Sequence, residues 1–180
     1  MPVNWGNSGI TLAQATEGVG ISGFSQTQVS ITHPVPAIPV TLVGTGTPDL
    51  DPALVAANYV TVLNNYEFIR SKGDAFTVIA DGRVQINYDG AVTIDAYADM
   101  SHTSNSATVG AVFSIERGGS TVLSARSVHA LMPNTGDIGN ISGNGSTDLL
   151  AGDIVGIALA SDKSGDIDIR SSSLVFEYFG

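Results

Sequence analysis

The three histidines are the side chains of this 180-residue sequence best suited to metal binding or proton transfer, and their spacing favours neither role. His33 precedes a proline, His102 lies among Ser, Thr and Asn residues, and His129 lies in a predicted strand. No two are two or four positions apart, the spacing that places two imidazoles on one metal ion. The chain has no cysteine, so thiolate ligands, thiol nucleophiles and disulfides are excluded. We expect ordinary polar histidines and no cofactor.

One cluster of carboxylates is a candidate cation site. Asp162, Asp166 and Asp168 lie in and just after a tight turn, and Ca²⁺ takes several oxygen ligands from flexible loops. Their spacing does not match an EF-hand, and Asp166 and Asp168 alternate as on the solvated face of a strand. We therefore expect a solvated face and keep calcium as the alternative.

No motif of a known type of active site occurs in the sequence. Asp95 and Asp99 share a strand face about 13 Å apart by strand rise, which is typical of a solvated face. There is no Gly-x-Ser-x-Gly turn for a nucleophilic serine and no glycine-rich loop with a P-loop lysine. The sequence predicts a protein that is not an enzyme.

The charge balance excludes two classes of partner. The formal net charge is −10, from 17 acidic and 7 basic residues, so the surface repels phosphate backbones and anionic lipid. No stretch approaches the roughly 20 apolar residues of a membrane span, and the first residues lack the pattern of a secretory signal. We expect no nucleic-acid partner and no membrane insertion. Only 13% of residues are charged, which suits β-structure or a chain that hides surface in an oligomer.

Residues 1–52 differ from the remainder and predict an extended arm and linker, ahead of a domain over residues 53–180. Prolines at positions 34, 36 and 39 exclude a helix or a central strand there and favour a polyproline-like strut. The arm is too apolar for a solvated tail, so we expect it to anchor the protein on a partner surface. The candidate anchoring residues are Ile10, Leu12, Ile21, Phe24, Val29, Ile31, Val35 and Ile38.

Alternation of apolar and polar residues dominates from position 74 onward and predicts short antiparallel strands. Asp89-Gly90 and Gly118-Gly119 have the composition of hairpin turns. Residues 53–70 are ambiguous, with a possible helical turn at 53–57 and strand composition at 59–63. Residues 133–146, rich in Gly and Asn, predict a long loop. The pattern indicates an all-β antiparallel sandwich.

Two strands near the C-terminus are apolar on both faces, at residues 154–159 and 174–179. An antiparallel sandwich normally leaves one strand face in water, so the second apolar face needs a cover. Another subunit is the first interpretation, and the protein's own N-terminal arm is the alternative. The candidate subunit-interface residues are Ile154, Ile157, Leu159, Leu174, Phe176 and Tyr178.

The stretch from residue 76 to residue 179 resembles the jelly roll shared by the complement globular head and tumour necrosis factor. The resemblance lies in residues 82–94 with their Asp-Gly turn, in the hairpin at 113–120, in the Leu-x-x-Gly-Asp entry to the strand at 154, and in the closing strand. It implies a threefold homotrimer with the closing strands near the axis. With the arm, the pattern is similar to bacteriophage head decoration or fibre proteins.

The resemblance implies a structural virion protein, a trimeric capsid decoration or head-fibre protein on the virion surface. Its partners would be its own copies and a major capsid protein or another particle component. The alternative is a receptor- or carbohydrate-binding adhesin head, with a host-surface glycan as partner. A glycan array separates this alternative from the structural function.

Overall fold

The computed structural model describes residues 28–32, 39–63, 67–125 and 127–179. In this part of the chain, strands dominate, and one helical turn, α1 (Pro52–Val55), continues into a 3-10 turn at Ala56–Asn58. The strands are β1 (Gln28–Thr32), β2 (Val40–Leu42), β3 (Val60–Thr61), β4 (Glu67–Lys72), β5 (Phe76–Val78), β6 (Val84–Ile86), β7 (Gly90–His102), β8 (Ala107–Arg117), β9 (Ser120–Leu123), β10 (Val128–Met132), β11 (Ile138–Leu149), β12 (Ile154–Ser161) and β13 (Gly165–Phe179). The predicted all-β class is confirmed.

The strands form two antiparallel sheets packed face to face. One sheet has six strands in the order β11-β7-β13-β1-β4, with β2 also on β13. The other has seven, in the order β10-β8-β12-β6-β5, with β3 on β12 and β9 on β8. Strands β11 and β10 are therefore edge strands on the same side of the sandwich.

The core between the sheets is built by the predicted alternation. In β7, Val92, Ile94, Ala98 and Met100 are buried in the core, Ala96 faces the same side and is partly buried, and the residues that alternate with these five face outward. The buried side chains fall into two clusters. The first cluster surrounds Met100 and Met132, the second surrounds Phe76 and Phe176, and Ile157 packs against both.

One predicted hairpin is confirmed and one is wrong. Gly118 and Gly119 join β8 to β9 with φ values of 57° and 82°, the left-handed conformations that a tight two-residue hairpin requires. Asp89-Gly90 instead carries the chain from β6 in the seven-stranded sheet to β7 in the six-stranded sheet. Residues on either side of this turn do not pair, so it is a crossover between layers.

The long loop predicted at residues 133–146 is also wrong. Strand β11 begins at Ile138 and pairs with β7 without interruption from Ile138↔Ser101 to Leu149↔Gly90. Asn and Gly disfavour strands locally, but a twelve-residue ladder along a long neighbour overrides that preference. The strand expected at 174–179 is the end of a longer strand, β13, which begins at Gly165 and has a register irregularity between Ile169 and Ser171.

The second apolar face of β12 is covered by the chain itself. Ala158 and Ala160 are fully buried on the outer side of the seven-stranded sheet. Gly110 lies directly opposite Ala160, and a Cβ there would approach the Tyr59 hydroxyl at 2.9 Å and Leu50 Cβ at 3.2 Å. The segment around α1 therefore lies over this face. Leu50, from the expected arm, and Tyr59, from the expected domain, together cover this face of β12, so no second subunit is needed there.

The boundary expected after residue 52 does not separate an arm from the domain. Strand β1 pairs with both β13 and β4, and β2 pairs with the start of β13. Residues 28–32 and 40–42 are thus part of the six-stranded sheet. Residues 1–27 and 33–38 lie outside the described part of the chain.

The Leu-x-x-Gly-Asp sequence before β12 is a turn built around a buried carboxylate that pairs with a half-exposed arginine. The Asp153 side chain is 2% exposed and accepts hydrogen bonds from the Arg117 guanidinium and from the Leu150 N–H, the latter at 2.9 Å. Gly152 has φ 92°, which favours glycine. The hydrogen bonds from Arg117 lower the pKa of Asp153 below its ordinary value. The motif that carried the family resemblance is thus structural.

Candidate interaction surface

The outward-facing residues of the six-stranded sheet form a candidate site, called here the outer face. It is built by the residues of β7, β11 and β13 that alternate with the core positions. Most are small and uncharged, with a few carboxylates and three larger apolar or aromatic side chains. On β7 they are Ala91, Thr93, Asp95, Tyr97 and Asp99; on β11, Asn140, Ser142, Asn144, Ser146 and Asp148; on β13, Ser171, Ser173, Val175, Glu177 and Phe179.

A hydrogen-bond network centred on Asp99 orders one end of the outer face. The Tyr97 hydroxyl donates to Asp99 Oδ2 at 2.8 Å, Ser171 Oγ donates to the same oxygen at 2.9 Å, and Asn140 Nδ2 donates to Oδ1 at 3.1 Å. Donors from three adjacent strands therefore meet on one carboxylate. These bonds lower the pKa of Asp99, that from Asn140 most, while the bond to Asp99 raises the pKa of Tyr97. Asp99 remains a carboxylate at neutral pH.

The apolar part of the outer face runs along β7 and β13. The Tyr97 side chain is 40% exposed, and Val175 and Phe179 are partly exposed. Val175 pairs with Asp95 and Phe179 with Ala91 across the two strands. The interface residues predicted on β13 have the opposite phase of the same alternation, so the prediction did not include Val175 and Phe179. The signal that identifies them is the burial of their neighbours Leu174 and Phe176, since strand alternation then places Val175 and Phe179 outside.

The interface residues expected from the sequence require correction, because several are buried within one copy. Leu159, Leu174 and Phe176 are 1 to 2% exposed and belong to the two core clusters. Side chains covered in this way have no surface left for a second subunit. Ile157 packs against both clusters and faces the same interior, and Ile154 is partly buried on β12.

Tyr178, the sixth expected interface residue, packs along the edge of the second core cluster. Its ring lies 6.4 Å from the ring of Phe76 in an edge-on arrangement and 6.4 Å from that of Tyr88. Its hydroxyl donates to the Asp89 carbonyl at 2.8 Å, and a Cβ at Gly90 would approach the ring at 2.6 Å. Tyr178 therefore covers the Asp89-Gly90 turn that leads into β7.

Of the candidate anchoring residues, six lie outside the described part of the chain: Ile10, Leu12, Ile21, Phe24, Val35 and Ile38. The backbone of Val29 pairs with Phe176 and that of Ile31 with Leu174 in β13. These two residues belong to a sheet strand of the domain.

The acidic residues considered for calcium are not brought together. Asp162 is 8% exposed and its Oδ1 accepts the Thr108 N–H at 2.7 Å, while Asp166 Oδ1 accepts the Thr41 hydroxyl at 2.6 Å. Asp168 lies 4.0 Å from Arg170. Across the described ranges, no three His, Asp or Glu side chains are placed to hold a metal ion.

His102 differs from the polar loop residue expected from the sequence, because it ends β7 and is 1% exposed. Its Nδ1 accepts the Ser104 N–H at 2.8 Å, and Nε2 has no hydrogen-bond partner. Burial lowers its pKa below the ordinary value, and this is partly offset first by the backbone of Lys163 and then by the charges of Asp162 and Asp166. His129 is exposed, with Nε2 2.7 Å from Ser127 Oγ.

Comparison with solved structures identifies the fold. Eiger, a tumour necrosis factor from S. frugiperda, superposes with a TM-score of 0.57 at 10% identity over 85% of this chain and 92% of that chain. The globular domain of the zebrafish complement 1qA protein gives 0.51 at 13% identity over 85% and 97%. Murine APRIL at pH 5.0 gives 0.51 at 15% identity over 83% and 97%. The chain has a tumour necrosis factor-like jelly roll.

No protein-family model matches the sequence of this jelly roll, and no curated protein is significantly similar to it. The likeness therefore confirms the expected fold class and leaves the function to be argued from the surface. None of the helices in the described residues is long and apolar enough to cross a membrane.

Proposed function

We propose that the chain is a non-catalytic head domain that assembles as a homotrimer through the outer face of the six-stranded sheet. The observation that carries this proposal is the Tyr97, Val175 and Phe179 group, exposed on a face that is otherwise mostly small and uncharged. The family that the sequence resembles forms trimers with its closing strands near the axis, and β13 is the closing strand here. The outer face of β13 replaces the buried residues first expected at the interface.

One of the four carboxylates on this face, that of Asp99, is satisfied by hydrogen bonds within one copy. Asp99, at one end of the face, already accepts three hydrogen bonds, so its charge needs no partner from another subunit. Aromatic side chains with one polar end are enriched where protein surfaces meet, and Tyr97 has this character. Val175 and Phe179 add apolar area on the neighbouring strand.

The assembly is tested by light scattering on the full-length chain after size exclusion. We expect a mass about three times the 18.5 kDa of one copy, and Val175→Glu should shift it to the mass of one chain. Val122→Glu is the matched control, since Val122 is 57% exposed on β9 in the other sheet. A wild-type chain that is monomeric at every concentration would overturn the proposal.

We further propose that this head decorates a virus particle and is anchored through residues that precede β1. Because β1 and β2 are sheet strands, the informative deletion removes residues 1–27 and leaves residue 28 onward intact. The expected result is an unchanged oligomer that no longer co-sediments with bacteriophage capsids to which the full-length chain binds. Equal co-sedimentation of the two chains would refute anchoring by this segment.

A second candidate function, glycan binding by an adhesin head, is favoured by the grouping of Tyr97 with Asp99 and Asn140. Sugar sites combine an aromatic face with carboxylate and amide groups, and the outer face places all three within one network. A glycan array with the full-length chain tests it. A specific hit that Asn140→Ala abolishes, without a change in molecular mass, would favour this function.

A further inference from the structure

A cavity of about 320 Å³ lies between the two sheets, at the junction of the two core clusters. Its walls come from β7, β8, β11, β12 and β13, and they are almost entirely apolar. The side chains that form its floor and sides include Met100, Phe113, Ile141, Ile157, Leu159 and Leu174. Among the lining residues there is no Asp, Glu, Lys, Arg or His. The interior is therefore an uncharged space of unusual size for a domain that otherwise packs closely.

The cavity exists because small residues occupy facing positions in the middle of the sandwich. Ala96 and Ala98 stand on β7, Ala111 on β8 and Gly143 on β11, where the ends of the same strands carry Val, Ile, Leu or Met. Ile157 packs against both clusters at this level. An unfilled space of this kind lowers stability in proportion to its volume, since its lining atoms lack contacts on one side.

The cavity reaches the surface between the edge strands β10 and β11. Val128 on β10 and Gly143 on β11 face each other there, and a Cβ at Gly143 would lie 3.2 Å from Val128 Cγ1. Both residues are partly exposed although both occupy inward positions. Ser127 and Asn144 border the same opening, and Asn144 is exposed. A small molecule thus has a route in that crosses no ladder of hydrogen bonds.

The lining restricts the chemistry of an occupant. An ionised group would lose its hydration and find no opposite charge, so the occupant is uncharged over its buried part. A cavity of roughly 150 Å³ takes up benzene, so a volume about twice as large suits two fused rings or a short branched hydrocarbon.

We propose that this cavity is a binding site for an uncharged apolar small molecule of about two-ring size, held between the sheets. The proposal is independent of the outer face, because the cavity lies on the opposite side of the six-stranded sheet and requires one copy only.

Titration of the full-length protein with N-phenyl-1-naphthylamine, a neutral probe whose fluorescence rises in apolar surroundings, tests the site. We expect saturable binding with one probe per chain. Ala96→Leu and Ala111→Leu, which each add a side chain into the cavity, should weaken binding at least tenfold. Ala53→Leu on exposed α1 makes the same change away from the cavity and should leave binding unaltered. Absence of saturable binding would overturn the proposal, as would equal affinity of all four proteins.

A second measurement covers the case in which the filled variants fail to fold. Addition of naphthalene to wild-type protein with labelled methyl groups should shift the resonances of Val128, Ile141, Ile157 and Leu159 while leaving those of Val122 and Leu54 in place. Shifts spread over the surface residues instead would refute the site. Uptake that falls as the protein concentration rises would show that a second copy fills the space, which also contradicts the proposal.

Discussion

Removal of the charge on Asp153 tests whether the Leu-x-x-Gly-Asp turn stabilises the jelly roll through its ion pair. The Asp153 side chain is 2% exposed and Arg117 is 47% exposed, so the carboxylate is buried while its partner is half in water. In Asp153→Asn the shape is preserved and the Leu150 N–H keeps an acceptor. The charge-assisted hydrogen bonds from Arg117 are lost, and the guanidinium returns to solvent.

The expected loss of stability follows from these exposures. Hydrogen bonds to a charged group contribute about 1.5–3 kcal/mol each when buried, and solvent access at Arg117 reduces the net effect, so we expect about 2 kcal/mol for Asp153→Asn. Asp168→Asn is the matched control, because Asp168 is 44% exposed and lies 4.0 Å from Arg170. An exposed pair of that kind contributes about 0.5 kcal/mol or less. Urea unfolding followed by circular dichroism at one protein concentration gives both values.

The dependence of stability on pH supplies a second readout. The pKa of Asp153 is lower in the folded than in the unfolded protein, so its contribution is present above the unfolded value of about 3.9 and is lost as pH falls through the folded value. Asp153→Asn should therefore lose less stability than wild type between about pH 5 and pH 3. Arg117→Met should lose more stability at pH 7 than Asp153→Asn, because it leaves the buried carboxylate without a cation. Equal free energies of unfolding for Asp153→Asn and Asp168→Asn would refute this account.

Two further predictions concern His102 and Gly110. Burial keeps His102 neutral in the fold, whereas the imidazole in the unfolded chain binds a proton near pH 6.5, so the stability of the protein should decrease as pH falls below that value. In thermal unfolding measured from pH 8 to pH 5, His102→Asn should make this decrease smaller. The same dependence on pH in wild type and His102→Asn would contradict the prediction. Gly110→Val should destabilise the protein by about 1–3 kcal/mol, because its side chain meets Tyr59 and Leu50. It should also speed proteolysis within residues 49–62, and a cleavage rate equal to that of wild type would show that this segment does not depend on Gly110.

The alternation of residue types was sufficient to predict the fold class. Val92, Ile94 and Ala98 are apolar at every second position of β7, and only a strand with one buried face explains that spacing. Gly118-Gly119 likewise determined a hairpin, since both residues need left-handed backbone conformations. These features are local, so each can be recognised without knowledge of the rest of the chain.

The sequence was insufficient to predict which strands pair and which segments cover them, because these contacts join residues that are far apart in the chain. The strand at 154–159 is apolar on both faces, which shows that both faces are covered but does not show what covers them. In the structure, Leu50 and Tyr59 cover the side of β12 that points away from the core. Residues 138–146 have the composition of a loop and become a strand only because β7 offers a twelve-residue partner.

The candidate surface and the cavity also depend on contacts between residues that are distant in the sequence. Alternation in β13 separates Leu174 and Phe176 from Val175 and Phe179, and both sets are apolar, so the sequence cannot say which set faces the core. The cavity requires Ala96, Ala111 and Gly143, which are distant in the chain, to meet at one level of the sandwich. Sequence determined which residues are apolar and at what period, whereas tertiary packing decided which of them meet, because burial is a property of neighbours brought together by the fold.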